Sequence, residues 1–229
     1  MLYGQAPKWV DRLERHLPGL GIPNLAIYLV GAQAIGFLLA LYDPMHVVQL
    51  LALIPELVLR GELWRLVSFL AVPLFPSLFW TIFGLYFLYF ILNGIEEEWG
   101  EFRTTLYVLV AVILSIAFSF AFNVPIRSAK ELTSTFFFAA ATIAPEYQIL
   151  LFFVLPVKLK WLAWLSAAFI AWELIAGAWL DRLYLLTMYA NYLLFFGPYF
   201  VGRLKAFYRR EKFKRDLQAG RESDDNARE

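Results

Sequence analysis

Residues 61–100 read GELWRLVSFLAVPLFPSLFWTIFGLYFLYFILNGIEEEWG, and this stretch decides the fold class of the chain. It begins with the pair Trp64-Arg65 in a polar segment and continues as a long apolar run. Three glutamates and a Trp-Gly dipeptide close it. Because a helix needs about 20 apolar residues to cross a bilayer, the stretch predicts a membrane-spanning helix with a polar segment at each end.

The composition of the whole chain agrees with a membrane protein. Of the 229 residues, 61% are apolar and only 17% are charged, and the mean hydropathy is +0.61. A surface that faces water needs more polar residues than this. Cysteine is absent, which excludes disulfide bonds and thiolate chemistry, and the two histidines are too few for a metal site. The sequence therefore predicts neither a metal site nor a cofactor.

Six apolar runs predict an all-α membrane protein with six transmembrane helices. The fourth run is short, since 13 residues give about 20 Å of helix and the hydrocarbon layer is about 30 Å thick. Between the runs we expect an amphipathic loop at 45–63, a tight turn at 96–101 and an extended interfacial piece at 149–157. The six predicted spans are 25–42, 77–95, 102–122, 132–144, 161–180 and 184–201.

The two ends of the chain carry most of its positive charge. We expect residues 1–22 to form an interfacial helix, 23–202 the transmembrane domain, and 203–229 a basic amphipathic and then disordered tail. With both termini in the cytoplasm, that side holds fifteen Lys and Arg and the other side five. The positive-inside rule therefore favours cytoplasmic termini. The basic tail predicts binding to anionic lipids or to a cytoplasmic partner rather than to nucleic acid.

This arrangement resembles the rhomboid-like superfamily over roughly residues 60–202. The resemblance includes the loop pair Trp64-Arg65 and, at the end of the second span, Glu96 and Gly100. It implies that Arg65 donates hydrogen bonds to carbonyls within the loop. The alternative for the pair is interface anchoring by an indole and a snorkelling arginine. The segment PVKLKW resembles bacterial members and predicts a bacterial inner membrane.

The catalytic residues of a rhomboid protease are degenerate in this sequence. The resemblance expects Gly-x-Ser-Gly at the start of the fourth span, where Thr133 and Ser134 stand, and a histidine near Asn191. Trp80 and Gly84 replace the histidine and asparagine that help to bind the oxyanion. An asparagine cannot accept the proton of a serine nucleophile. We therefore interpret Ser134 or Thr133 as a helix N-cap and predict no protease activity.

The resemblance then implies a pseudoprotease, comparable to derlins, that binds transmembrane client proteins and thins the bilayer in membrane protein quality control or trafficking. Clients are expected between the second and fifth spans. Glu173, predicted about 12 Å inside the fifth span, is either functional or a hydrogen-bonded carboxyl that faces the bundle. The candidate contacts are Trp80, Tyr86 and Tyr89 on the second span and Trp164, Trp172 and Glu173 on the fifth.

Two other functions stay open from the sequence. One is a small transporter or channel, although no internal repeat is visible and Glu173 is the one deep charge. The other is an active intramembrane serine protease with an atypical site. Crosslinking of single-span proteins would favour the client hypothesis, and flux in liposomes would favour transport.

Overall fold

The computed structural model describes residues 7–151 and 155–226, which are mostly helical. Besides the α-helices there are a small antiparallel hairpin and two short 3-10 turns, Pro18–Leu20 and Phe69–Ala71. The helices are α1 (Lys8–His16), α2 (Leu25–Ala40), α3 (Pro44–Leu51), α4 (Pro55–Leu59), α5 (Arg65–Ser68), α6 (Leu78–Trp99), α7 (Glu101–Phe122), α8 (Lys130–Ile143), α9 (Leu159–Ala176) and α10 (Trp179–Asn226). The strands are β1 (Gln148–Leu151) and β2 (Leu155–Lys158).

Four helical segments in the described part of the chain are long and apolar enough to cross a membrane. They are Pro18–Ala40, Leu78–Trp99, Glu101–Phe122 and Leu159–Ala176. A helix also lies at each of the other two predicted spans, but α8 has only 14 residues and α10 carries more polar residues. The chain is thus an all-α multi-pass membrane protein, and the count of six spans stays a prediction.

The core lies where α6, α7, α8 and α10 pack together. Tyr107 of α7, Leu132 and Phe136 of α8 and Met188 of α10 are buried there. On the other side of α6, helix α2 packs against α6 and the 3-10 turn Phe69–Ala71. At that crossing a Cβ on Gly36 would lie 1.7 Å from the carbonyl oxygen of Ala71, so only glycine permits this approach.

The N-terminal helix α1 is docked on the bundle. Val10 is fully buried, and the ring centroids of Trp9 and Phe195 are 5.1 Å apart. Arg103 at the start of α7 pairs with Asp11 at 3.1 Å and with Glu14 at 3.3 Å. The apolar side of α1 that the sequence assigns to the membrane interface therefore packs partly against α7 and α10.

The predicted boundaries differ from the structure at several places. The turn expected at 96–101 is a single residue. Helix α6 continues through its glutamates and ends at Trp99, and Gly100, at φ +90°, then connects α6 to α7. The fifth span ends at Ala176 rather than at residue 180. Helix α10 continues without a break from the sixth predicted span into the tail and reaches Asn226, although the sequence predicts a disordered end for the tail at 203–229.

Candidate functional site

The position of the degenerate nucleophile lies within α8. The Ser134 hydroxyl donates to the Glu131 carbonyl at 2.6 Å, and its oxygen lies 3.0 Å from the Tyr189 hydroxyl on α10. The interpretation of Thr133 or Ser134 as an N-cap is wrong, because α8 begins earlier, at Lys130. At that end the Ser128 hydroxyl accepts the Lys130 N–H at 3.1 Å instead.

The residue that faces Ser134 is Tyr189 and not Asn191. Asn191 is fully buried and donates through Nδ2 to the Tyr107 carbonyl at 3.2 Å. Its Oδ1 is buried without a hydrogen-bond partner among the described residues. A phenol keeps its own proton at neutral pH, and its neutral oxygen is too weak a base to accept a second one. The pair of Ser134 and Tyr189 therefore contains no group that would take the proton from a serine nucleophile.

Three tyrosines of α10 make the same kind of contact. The hydroxyl of Tyr184 lies 3.3 Å from that of Ser115 on α7, and the hydroxyl of Tyr192 lies 2.6 Å from that of Thr142 on α8. Together with Tyr189 they form a row of hydroxyl pairs along α10, which we call the hydroxyl ladder. The sequence motifs do not point to these pairs, although tyrosines at 184, 189 and 192 in an apolar run indicate buried phenols that need hydrogen-bond partners.

The two degenerate positions on α6 have packing roles. Trp80 is partly exposed and packs edge-to-face on Phe79, with ring centroids 5.4 Å apart. Gly84 lies under the ring of Phe75, where a Cβ would approach Phe75 Cε2 to 2.5 Å. Neither residue lines the cavity that contains Ser134. The structure therefore does not bring them together with the α8 and α10 positions.

Arg65 holds the loop that follows the first span. Its side chain is buried and donates from Nη1 to the carbonyls of Gln49 at 2.6 Å and Ala52 at 2.9 Å. It also pairs with Glu62 at 2.6 Å. These are loop carbonyls of the kind that the resemblance implies. The neighbouring Trp64 is exposed, and the structure gives it no part in this network.

Glu96 caps another helix. Its carboxylate accepts the N–H of Asn24 at 2.6 Å and the N–H of Leu25 at 3.1 Å, at the start of α2. Asn24 has a left-handed backbone, with φ 56°, and its own side chain makes no capping hydrogen bond. A carboxylate at this place both satisfies free N–H groups and interacts favourably with the helix dipole. The sequence motif located Glu96 without revealing this role.

Helix α9 is the least packed of the long helices. Of its 18 residues, all of which the structure describes, only Leu159 is buried. It contacts α8 and, less closely, α10. The predicted client contacts Trp164 and Trp172 are 74% and 68% exposed. The other large exposed side chains of α9 are Trp161, Leu165, Phe169 and Ile175.

A groove runs between α9 and the pair formed by α8 and α10, and we call it the α9 groove. Two cavities follow each other along it. One, with a volume of about 570 Å³, is lined by Lys130, Glu131, Ser134, Ser166, Phe169, Ile170, Trp172, Glu173, Ala176, Gly177, Leu185 and Tyr189. The other, of about 390 Å³, is lined by Phe138, Ala141, Thr142, Pro145, Lys160, Ala163, Trp164, Ala167, Tyr192, Tyr199, Phe200 and Arg203.

The predicted contacts on α6 lie elsewhere. Tyr86 and Tyr89 are partly exposed, and Tyr89 lines a separate cavity with Glu97 and Glu98 of α6 and Tyr147 beyond α8. Helix α8 packs against both α6 and α9. Tyr89 on α6 and the predicted client contacts on α9 therefore line different cavities.

Glu173 is not the deep carboxylate that the sequence predicts. Helix α9 ends at Ala176, three residues after it, and its side chain is 40% exposed. Its Oε1 lies 3.5 Å from the Nζ of Lys130 at the start of α8. Glu173 therefore belongs to a charged group at one end of the α9 groove.

The opposite end of the groove carries a clamp of three charges. The Glu146 carboxylate accepts from Lys158 Nζ at 2.8 Å and also from Lys160. These two hydrogen bonds lower the pKa of Glu146 to about 2. Because the carboxylate is exposed, salt screens this interaction. The clamp holds the end of β2 and the start of α9 close to the segment that follows α8.

Comparison of the chain with protein-family models, with curated proteins and with solved structures finds no match. Within the described residues there is also no cluster of three or more His, Cys, Asp or Glu that could hold a metal ion. What the fold itself defines is a class, that of helical multi-pass membrane proteins, with an open groove beside its least packed helix.

Proposed function

We propose that the protein is a proteolytically inactive rhomboid-like membrane protein that binds transmembrane segments of client proteins and thins the bilayer around them. It would serve membrane protein quality control or trafficking, in a bacterial inner membrane with both termini in the cytoplasm. The resemblance carried by Trp64, Arg65, Glu96 and Gly100 supports the fold within this proposal.

The observation that carries the proposal is the packing of α9. This helix is long and apolar enough to span a bilayer, yet only Leu159 of its 18 residues is buried in its own bundle. Transmembrane helices associate through van der Waals packing and a few polar contacts rather than through the hydrophobic effect. A span with the bulky, exposed side chains of Trp164 and Trp172 keeps that packing surface available to another helix.

The length of α8 supports the thinning of the bilayer. Its 14 residues give about 21 Å of helix, while the hydrocarbon layer is about 30 Å thick. Charged residues stand at both ends, Lys130 and Glu131 at the start and Glu146 just beyond the end. Only Lys130 of α8 is exposed, so the thinning would arise where lipids reach the recessed charged ends of this helix, at a cost of fractions of a kcal/mol per Å.

The surroundings of Ser134 support a function other than hydrolysis. Its hydroxyl is engaged by the Glu131 carbonyl and the Tyr189 hydroxyl, and Asn191 is turned toward Tyr107. An acyl transfer to serine needs a base that orients and deprotonates the hydroxyl. The hydroxyl ladder instead holds α8 against α10.

The test is photo-crosslinking in native membranes, with a photoreactive amino acid at position 164 or 172. The matched controls are positions 27 and 35, which are isoleucines with 56% and 60% exposure on α2. We expect single-span membrane proteins to be captured from α9 and not from α2. Equal capture from both helices would refute the proposal. Solute flux through the protein in liposomes, without such capture, would favour the transporter alternative.

A further inference from the structure

One half of the α9 groove combines an apolar slot with two cations at its mouth. The slot is formed by α8, the first half of α9 and α10, and its volume is about 390 Å³. Lys160 and Arg203 are the charged residues of its lining, and no carboxylate lines it among the described residues. The hydroxyl pair of Thr142 and Tyr192 lies on the same wall.

The shape of the slot comes from small side chains. Ala163 and Ala167, one turn apart on α9, face Ala141 of α8 across it. Larger residues, Trp164 and Phe200, line its sides and are exposed. The slot has a volume of about 390 Å³, whereas a membrane-spanning helix about 10 Å across and about 30 Å long occupies roughly 2,400 Å³. An acyl chain fits such a slot, and a client helix does not.

The charges that line the two cavities of the α9 groove differ in sign. At the Lys160 end, Lys158 and Lys160 contribute two positive charges and Glu146 one negative charge, so Arg203 brings the net charge to two positive. In the lining of the other cavity Glu131 and Glu173 outnumber Lys130, and the nearby Arg182 is engaged by the carbonyls of Ile175 and Gly177. The more favourable place for an anionic group is therefore beside Lys160 and Arg203.

Arg203 is held in position for such a group. Its Nη1 donates to the Tyr199 hydroxyl at 2.9 Å, and its guanidinium carbon lies 5.6 Å from the centroid of the Tyr199 ring. A guanidinium presents several N–H donors in a planar fork that matches the oxygens of a phosphate. The contacts with Tyr199 use one face and one nitrogen, which leaves other donors for a headgroup.

We propose that this slot binds one anionic glycerophospholipid. Its phosphate lies against Lys160 and Arg203, and one acyl chain lies along Ala163 and Ala167 between α9 and the bundle. The charge difference between the two ends of the groove and the volume of the slot select this occupant over a zwitterionic lipid and over a helix. The bound lipid completes the packing of α9.

The first experiment measures lipid binding to the detergent-purified full chain by native mass spectrometry, with added phosphatidylglycerol or phosphatidylcholine. We expect the unmodified protein to prefer phosphatidylglycerol. Arg203→Gln should weaken this binding about fivefold, and Lys160→Gln with Arg203→Gln should weaken it further. The control is Lys205→Gln with Arg209→Gln, which removes two charges from the exposed part of the same helix. Equal losses in control and test variants would overturn the proposal.

The second experiment tests the acyl-chain slot without changing a charge. Ala167→Phe fills the slot, and Ala168→Phe adds the same side chain to an exposed position of α9. We expect phosphatidylglycerol binding to fall at least about fivefold in Ala167→Phe and to persist in Ala168→Phe. Binding that is unchanged in Ala167→Phe would show that the lipid does not enter the slot, and the proposal would be wrong.

Discussion

The sharpest stability prediction concerns Glu96, whose carboxylate caps α2 from a distance of 71 residues along the chain. We consider Glu96→Ala, which removes both acceptors of the Asn24 and Leu25 N–H groups. A hydrogen bond to a charged group contributes about 1.5–3 kcal/mol. Asn24 is exposed and its N–H can bind water instead, whereas Leu25 is buried. The expected loss is therefore about 2–3 kcal/mol in the free energy of unfolding.

Two further variants separate the cap from a general effect of charge. Glu96→Gln keeps one carbonyl oxygen as an acceptor but removes the charge, so we expect the free energy of unfolding to fall by about 1 kcal/mol. Glu98→Ala removes the same charge from an exposed position half a turn along α6, and we expect little change. The assay is equilibrium unfolding in mixed micelles, followed by tryptophan fluorescence. If Glu98→Ala destabilises the protein as much as Glu96→Ala, the capping argument fails.

Four more predictions test other parts of the structure. Gly36→Ala places a Cβ 1.7 Å from the Ala71 carbonyl oxygen and should lower the free energy of unfolding by about 3 kcal/mol or more. The control is Gly31→Ala, where the added Cβ meets no atom within 4 Å, and it should leave the stability unchanged or raise it. Tyr189→Phe and Ser134→Ala should each lower the free energy of unfolding by about 1 kcal/mol, and the double variant should lower it by little more than either single variant. Additive losses would show that the two hydroxyls are not paired. The folded-state pKa of Glu146 is lowered to about 2, so the stability that its clamp contributes is present above the unfolded pKa of about 4.3 and is lost as the pH falls toward 2. An NMR titration of the Glu146 carboxyl carbon measures this pKa. A midpoint near 4.3 would contradict the clamp, and a midpoint that stays near 2 in 1 M salt would contradict a contact between exposed charges. A serine-directed fluorophosphonate probe should leave Ser134 unlabelled, and labelling that disappears in Ser134→Ala would overturn the inactive assignment.

The sequence predicted best those features that depend on a local pattern. Helices lie at all six predicted spans because an apolar run in a bilayer has to satisfy its own backbone hydrogen bonds. The extended piece after α8 forms the hairpin of Gln148–Leu151 and Leu155–Lys158. Arg65 contacts the loop carbonyls that the resemblance implies. The first two features follow from residues that are close together in the sequence, whereas the Arg65 contacts join residues 13 and 16 positions apart.

The features that the sequence did not reveal depend on contacts between distant elements. The N–H groups that Glu96 caps belong to a helix that begins 71 residues earlier. The partner of Ser134 is Tyr189, 55 residues later, and a shift of two positions on α10 distinguishes it from the buried Asn191. Glu173 was misplaced because Gly177 ends α9 earlier than the apolar pattern indicates. Apolar periodicity does not fix such pairings, since it constrains which residues avoid water and not which of them meet.

The distribution of polar contacts explains why both proposals involve α9. Helix α10 is tied to α7 and α8 by the hydroxyl ladder, and α2 is tied to α6 by Glu96. The polar contacts of α9 are at its ends, through Lys160 to Glu146 and Glu173 to Lys130. Along its length it is held mainly by apolar contacts, which lipid tails can replace at little cost.

The lipid and client hypotheses concern adjoining surfaces of one loosely held helix, and position 172 allows them to be tested separately. Ala167 and Trp164 line the lipid slot, whereas Trp172 lines the other cavity of the α9 groove and is 68% exposed. If a lipid completes the inner side of α9, Ala167→Phe should displace the lipid and leave crosslinking from position 172 intact, because the added ring takes the place of the acyl chain. If crosslinking disappears as well, α9 has moved and the two surfaces are coupled. That outcome would make the lipid part of the client site.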